Sequence, residues 1–353
     1  MNLSLPNFLP KKADKSVKAV NRNQVTVGLD IGHSHINVVQ VLRVGDSAII
    51  EKYAHQPVNP GIPISPQIKS LFESAQISLK KVRVSVKGQG VILRFITFPR
   101  MTREEFESAI QYEAEKYLPF AVSEVVLDFH IVETQSSKPE GKTMDVILVA
   151  ARKQEVLKLI KTLEDSGLQP EFIDVDAISF ANAFVATNKE AAEKVFTLID
   201  FGAKDVNINI VERGVLRFSR DITFGGHDVT QLLRRKLQID EAQAFAIQSG
   251  AAVTDAVQAE ALKQSFSSLI QEIKTSINYF YGQHTEVEMP SAIYVSGGLS
   301  KIGLLSDGIE QETKIQVRQY DPIESFTIGA EIKKEELVGY LSYLPVAIGL
   351  AVR

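Results

Sequence analysis

Asp30 and Asp200 each stand at the end of a β-rich run, and each is followed two positions later by a glycine, Gly32 or Gly202. A carboxylate at a strand end suits a hydrated cation. A glycine in the next turn lets backbone N–H groups close on an anion with no Cβ in the way. The chemistry this spacing points to is the gripping of a polyphosphate together with Mg²⁺. The surroundings repeat as well: apolar, Asp, apolar, Gly, three variable, apolar, Asn, apolar runs from Leu29 to Val38 and again from Ile199 to Ile208, at a gapless offset of 170 positions. One Asp-x-Gly is ordinary turn chemistry. A second copy at a fixed offset points to duplication.

To position these residues, Val25–Leu29 and Val195–Ile199 read as entering strands, and the alternating residues after each turn read as strands pairing back. Two such hairpins face each other only if each belongs to its own lobe, and 353 residues at 44% hydrophobic are enough for two cores. Lobe one continues with a helix over 67–75 and a strand over 82–86. An inserted block holds a strand over 91–97, a helix opened by the capping box Thr102-x-x-Glu105 and stopped by Pro119, a strand over 144–150 and a helix over 153–165. A strand over 171–175 and a helix over 178–186 return to lobe one. In lobe two, Gly225-Gly226 precedes a helix carrying Val229, Leu232, Leu233 and Leu237; helices are expected over 240–248 and 262–281, and a buried strand over 292–295 runs into Ser296-Gly297-Gly298 and a further helix. The expected division is a tail, 1–22; lobe one core, 23–88 and 171–193; inserted subdomain, 89–170; lobe two core, 194–229 and 291–335; a subdomain of lobe two, 230–290; and a C-terminal return to lobe one, 336–353.

The net charge of −4 lacks the basic stripe that nucleic acid demands. The absence of cysteine excludes disulfides and thiolate metal sites. No run of apolar residues is long enough to span a membrane, and Met1–Lys18 has no apolar signal core, so the expectation is a cytoplasmic protein without direct membrane insertion. Ser136-x-x-x-x-Gly141-Lys142-Thr143 nearly spells a phosphate loop but lies between two strands rather than between strand and helix, and reads as a hairpin loop. Glu104, Glu105, Glu107, Glu113 and Glu115 read as a solvated helix face.

The order Asp-x-Gly, insertion, Asp-x-Gly, Gly-Gly, Gly-Gly resembles that of the actin-like ATPase superfamily. More closely, the chain resembles the type IV pilus assembly PilM family, through Val27 to Gly32, Tyr112 to Phe120, Asp145 to Ala151, Asp174 to Ala177, Val206 to Ile210, Arg220 to Gly226, Glu272 to Ser276, Val295 to Gly298 and Val346 to Ala351. The resemblance implies an α/β, actin-like two-lobed fold of duplicated ribonuclease H-like lobes with a small α/β subdomain inserted in lobe one. It implies ATP and Mg²⁺ as ligands. Asp30, Gly32, His33, Ser34 and Asn37 would form the first phosphate loop, and Asp200, Gly202 and Ala203 the second, with Asp30 and Asp200 holding Mg²⁺ through water. Gly225 and Gly226 would approach the phosphates or ribose, Glu272 and Lys274 the ribose and adenine, and Gly297 and Gly298 would floor the adenine. Asp176 is a candidate hydrolytic base, or it simply caps its helix.

Two departures stand out: Asn37 where many relatives carry lysine, and His33 where Ser or Thr is usual. They imply ATP binding with weak or no turnover. The implied partner is the N-terminal cytoplasmic peptide of a PilN-like inner-membrane protein, seated in a groove on lobe one and the inserted subdomain. Other pilus platform components and self-association are further expectations, and recruitment to the inner membrane would be peripheral. Asn2-Leu3-Ser4-Leu5-Pro6 is similar to the Asn-Leu-Leu-Pro-like motif of such peptides, so the tail is expected to compete for the groove. The alternatives are an FtsA-like filament-forming membrane tether and a small-molecule kinase of the same superfamily.

Overall fold

The computed structural model describes residues 23–45, 47–132, 142–250 and 253–353, so the N-terminal tail and most of the loop at 136–143 lie outside the described residues. Three antiparallel strands come first, β1 (Asn23–Ile31), β2 (His35–Val44) and β3 (Ser47–Pro57); α1 (Ile64–Ser74) then leads to β4 (Lys81–Val86), parallel to β1. The inserted unit is β5 (Val91–Pro99), α2 (Arg103–Glu113), β6 (Val125–Val132) and β7 (Thr143–Arg152), an antiparallel sheet with β7 in the middle. After α3 (Lys153–Asp165) come β8 (Gln169–Val175), parallel to β4, and α4 (Asp176–Thr187).

The second half replays the first. Antiparallel β9 (Val195–Phe201), β10 (Val206–Glu212) and β11 (Val215–Ile222) precede α5 (Gly226–Leu237), α6 (Glu241–Gln248), α7 (Ala256–Ser265) and α8 (Ser267–Gln283). Then β12 (Ile293–Gly297), α9 (Gly303–Thr313) and β13 (Val317–Gln319) complete a sheet in which β12 is parallel to both β9 and β13. The chain ends with β14 (Thr327–Ile328), α10 (Lys334–Val338) and α11 (Pro345–Val352). The sheet orders are β14-β3-β2-β1-β4-β8 and β11-β10-β9-β12-β13. With β14 set aside, order and strand directions coincide, so the repeat seen in ten residues extends to a whole sheet.

Several boundaries differ from the sequence reading. Helix α3 buries Val156 and Leu163 in the core of lobe one, whereas the inserted sheet has its own core around Phe98, Phe106, Phe129 and Leu148. The core around Phe98, Phe106, Phe129 and Leu148 thus holds no residue of α3, whose buried face joins the large core that lobe one shares with the other face of the inserted sheet, Ile147, Val149 and Ala151. The chain regains the first sheet at Thr327, where β14 pairs with β3, rather than at 336. The helix expected over 262–281 is two helices that break at Phe266, where the Ser265 hydroxyl turns back to the Leu262 carbonyl at 2.6 Å. The capping box at Thr102 and Glu105 forms as read, but α2 ends at Glu113 and a single tight turn, Ala114–Lys116, carries the chain toward Pro119.

Every residue of α11 from Pro345 to Val352 is buried. It lies against α4 and β1, and it does so through two glycines: a Cβ on Gly28 would fall 1.9 Å from the Ala347 carbonyl oxygen, and one on Gly349 would fall 1.7 Å from that of Ser179. Thr26 Oγ1 adds a bond of 2.7 Å to the Ala351 carbonyl. No helix among the described residues is long and apolar enough to cross a membrane.

Candidate phosphate-binding cleft

Parallel strands deliver their functional residues at their carboxyl ends. Asp30 on β1, Lys87 just after β4, Asp176 just after β8, Asp200 on β9 and Gly297 on β12 all reach one cavity of about 250 Å³ between the two sheets. Of the residues expected in the site, Asp30, Gly32, His33, Ser34, Asn37, Asp176, Asp200, Gly202, Ala203, Gly226, Gly297 and Gly298 line it.

The two hairpin turns have the same geometry. The Gly32 N–H donates to the His35 carbonyl at 2.8 Å, and the Gly202 N–H donates to that of Asp205 at 3.0 Å. A Cβ on either glycine would fall 2.6 or 2.7 Å from that same carbonyl oxygen, so close approach selects glycine in both copies. The turn amides of His33 and Ser34, and of Ala203 and Lys204, donate to no backbone acceptor among the described residues. Amides disposed in this way, beside carboxylates from both lobes, fit a phosphate chain carrying Mg²⁺. The lining holds five aspartates, Asp30, Asp176, Asp200, Asp205 and Asp221, against a single lysine, so an anionic ligand there would need positive charge brought with it.

Three of the expected site residues, Gly225, Glu272 and Lys274, do not line the cavity. Glu272 and Lys274 lie outside the cavity: Glu272 accepts from Arg220 at 3.1 Å, and Lys274 pairs with Glu312 at 2.9 Å. The phase of α8 decides this, because Leu269, Ile273, Ser276, Ile277 and Phe280 take the buried face. Gly225 packs instead on the second hairpin, where a Cβ would fall 2.5 Å from the Ala203 carbonyl oxygen, and the next two amides, of Gly226 and His227, donate to the carbonyls of Gly202 and Ala203. Gly297 is required by a φ of +85° and by its approach to Phe201, but α9 begins only at Gly303, so no helix start sits directly behind Gly297-Gly298. Asp176 is the first residue of α4 and makes no cap bond there; its carboxylate turns to Lys87 instead.

Lys87, which sequence reasoning missed, ties lobe one's carboxylates together. Its Nζ lies 2.8 Å from Asp30 Oδ1 and 2.7 Å from Asp176 Oδ2. Burial alone would lower its pKa, but Asp176 and Asp30 more than reverse that and hold the ammonium charged. Among the described residues Asp200, on the opposite lobe, has no such partner, and burial pushes it up to about 7.

A second network lies behind Asp30. Asn37 Nδ2 donates to Asp30 Oδ2 at 2.9 Å, so its Oδ1 is the acceptor for His55 Nδ1 at 2.6 Å, which fixes the proton on that nitrogen. His55 stacks on His35 with ring centroids 4.5 Å apart, and Tyr340 and Tyr343 close over it at 4.6 and 4.8 Å. Burial, and then His35, push the His55 pKa down to about 4. A histidine whose folded pKa is depressed stabilises the protein above its unfolded value, and that stability is lost as pH falls toward 4. Wild type is therefore expected to lose on the order of 2 kcal/mol more than His55→Gln between pH 7 and pH 4.5, read from urea unfolding at each pH. Parallel pH profiles for the two proteins would show that His55 is not the titrating group.

Two ribonuclease H-like sheets of one strand order, with Asp-x-Gly hairpins meeting across a cleft, define an actin-like two-lobed protein. The chain belongs to the family described as Type IV pilus assembly protein PilM, whose sequence profile matches residues 28–353. It is similar to a chain of the PilM-PilN type IV pilus biogenesis complex, at 28% identity and a TM-score of 0.81, covering 93% of this chain and 98% of that one. More distant likenesses are the ethanolamine utilization protein EutJ from Carboxydothermus hydrogenoformans (12% identity, TM-score 0.49, 99% and 92% covered) and a ROK family glucokinase from Streptomyces griseus in complex with glucose and AMPPNP (14%, 0.48, 93% and 98%).

Proposed function

We propose that this protein is a cytoplasmic, actin-like component of a type IV pilus assembly platform that binds Mg²⁺-ATP between its lobes and the N-terminal peptide of a PilN-like membrane protein. The observation that carries the reading is near-full-length likeness to the solved PilM-PilN complex. The paired hairpins support the nucleotide half. Asp30 and Asp200 would face the hydrated Mg²⁺, the amides after Gly32 and Gly202 would hold phosphate oxygens, and Gly298, which faces Tyr343, would lie under the base. Mg²⁺ would supply charge neutralisation in a cleft dominated by aspartates.

Asp176 is ion-paired with Lys87 and so is restrained from acting as a free base, in keeping with weak turnover. Because the cleft draws residues from both sheets, the ligand would change the angle between lobes, and partner affinity would change through differential binding to two states. Recruitment to the inner membrane would run through the peptide. Helix α11 itself is buried along its whole length and presents no face to lipid.

The test is a calorimetric titration of a synthetic N-terminal peptide of a PilN-like protein, with and without saturating Mg²⁺-ATP. The expected result is peptide binding whose affinity shifts about fivefold or more with nucleotide. Nucleotide binding without any peptide binding would remove the pilus reading, and equal peptide affinity in both conditions would remove the switch.

A further inference from the structure

The cleft's charge converges on Lys87. Among the residues lining the cavity it is the only lysine or arginine, set against five aspartates. An ammonium has three N–H donors. Asp30 and Asp176 take two of them, and no third acceptor is present among the described residues. The side chain keeps 25% of its exposure, and Gly88, at φ +86°, turns the chain away immediately after it. The matching carboxyl end of β12 in the other lobe carries only Gly297-Gly298, so lobe one alone offers a fixed cation there. Asn37 makes no claim to that role, since its side chain is committed to Asp30 and His55.

We propose that Lys87 directs its third N–H at the phosphate chain of the bound nucleotide and supplies the positive charge that Asn37 does not; this rests on the nucleotide-binding reading above. The carboxylates on either side hold the head group in place in advance, so little side-chain freedom is lost on binding. The same arrangement explains how a cleft so rich in aspartate offers a phosphate any direct side-chain charge at all.

Removing the ammonium alone leaves Asp30 and Asp176 without their shared counter-ion, which can unfold the protein. The test therefore compares Lys87→Met/Asp176→Asn with Asp176→Asn, two variants that differ only at residue 87. Melting curves without ligand establish that both are folded, and Mg²⁺-ATP is titrated into each by calorimetry. The double variant is expected to bind about tenfold more weakly or worse, the loss of one charge-assisted hydrogen bond. Binding within about threefold on that scale would overturn the proposal and leave Lys87 a structural counter-ion. Lys87→Arg is the second variant: it keeps both carboxylates paired but displaces the charge onto a longer planar group, and it is expected to bind more weakly than wild type with an unchanged melting temperature. Equal affinity in that variant would also overturn the proposal. If wild type itself binds no Mg²⁺-ATP, the underlying reading falls, and this inference with it.

Discussion

Arg353→Ala is expected to cost about 3–5 kcal/mol of unfolding free energy at pH 8, because it strands a buried carboxylate. Asp174 is fully buried, and Arg353 Nη1 meets its Oδ2 at 2.6 Å with only 6% of its own side chain exposed. The pair is braced from the side: Arg83 donates to the carbonyls of Ala351 and Arg353 at 3.1 and 2.8 Å, and both guanidinium groups lie over the Phe172 ring. Burial pushes the Asp174 carboxyl up to about 7 even with Arg353 beside it. A folded pKa raised above the unfolded value gives stability that is present at low pH and lost as pH climbs through 7. In the variant the carboxylate can take up a proton at pH 5, so the penalty should shrink there. Urea unfolding at pH 8 and pH 5 measures both. A loss below about 1 kcal/mol at pH 8 would mean that water reaches Asp174 and the pair is not truly desolvated.

Gly349→Ala is the second large effect. The new methyl carbon would start 1.7 Å from the Ser179 carbonyl oxygen, and neither partner is a side chain that can rotate away. Helix α11 would have to lift off α4, which in turn would loosen its opposite face on Gly28 of β1. The expected cost is about 3 kcal/mol, the upper end of overpacking, because backbone must move on both sides. It is measurable as a lowered urea midpoint with the slope unchanged. Gly303→Ala serves as the reference: a Cβ there meets nothing within 4 Å, and stability should change little. Equal behaviour of the two variants would contradict the packing described for α11.

The site was legible where its chemistry is local. Asp, Gly and the return strand lie within ten residues, so the turn, its need for glycine and its duplication are all written in one short stretch. Lys87 was not legible, because its meaning depends on β4 lying parallel between β1 and β8, a neighbour relation that no spacing in the chain expresses. The same holds for His55, which reaches Asn37 only through the register of β2 with β3. Glu272 and Lys274 fall outside the cavity lining although the apolar stripe of their helix was read correctly; the stripe itself sends them outward. Helix α3 follows the inserted unit's last strand, and its buried face joins the large core that lobe one shares with one face of the inserted sheet, a sharing that no local pattern expresses. Local patterns gave the elements, and errors arose where an element had a choice of neighbours.

The placement of α11 also bears on how the protein comes into being at the ribosome. Thr26 and its partner Ala351 are 325 residues apart, so β1 waits for its covering helix until all of the second lobe has been translated. At about 5–20 residues per second that wait lasts on the order of tens of seconds. The second sheet, β9 to β13, is made of one uninterrupted stretch of chain and faces no such delay. The half of the molecule that emerges first is therefore the half that matures last, and in the interim its apolar underside is the surface that a chaperone would meet.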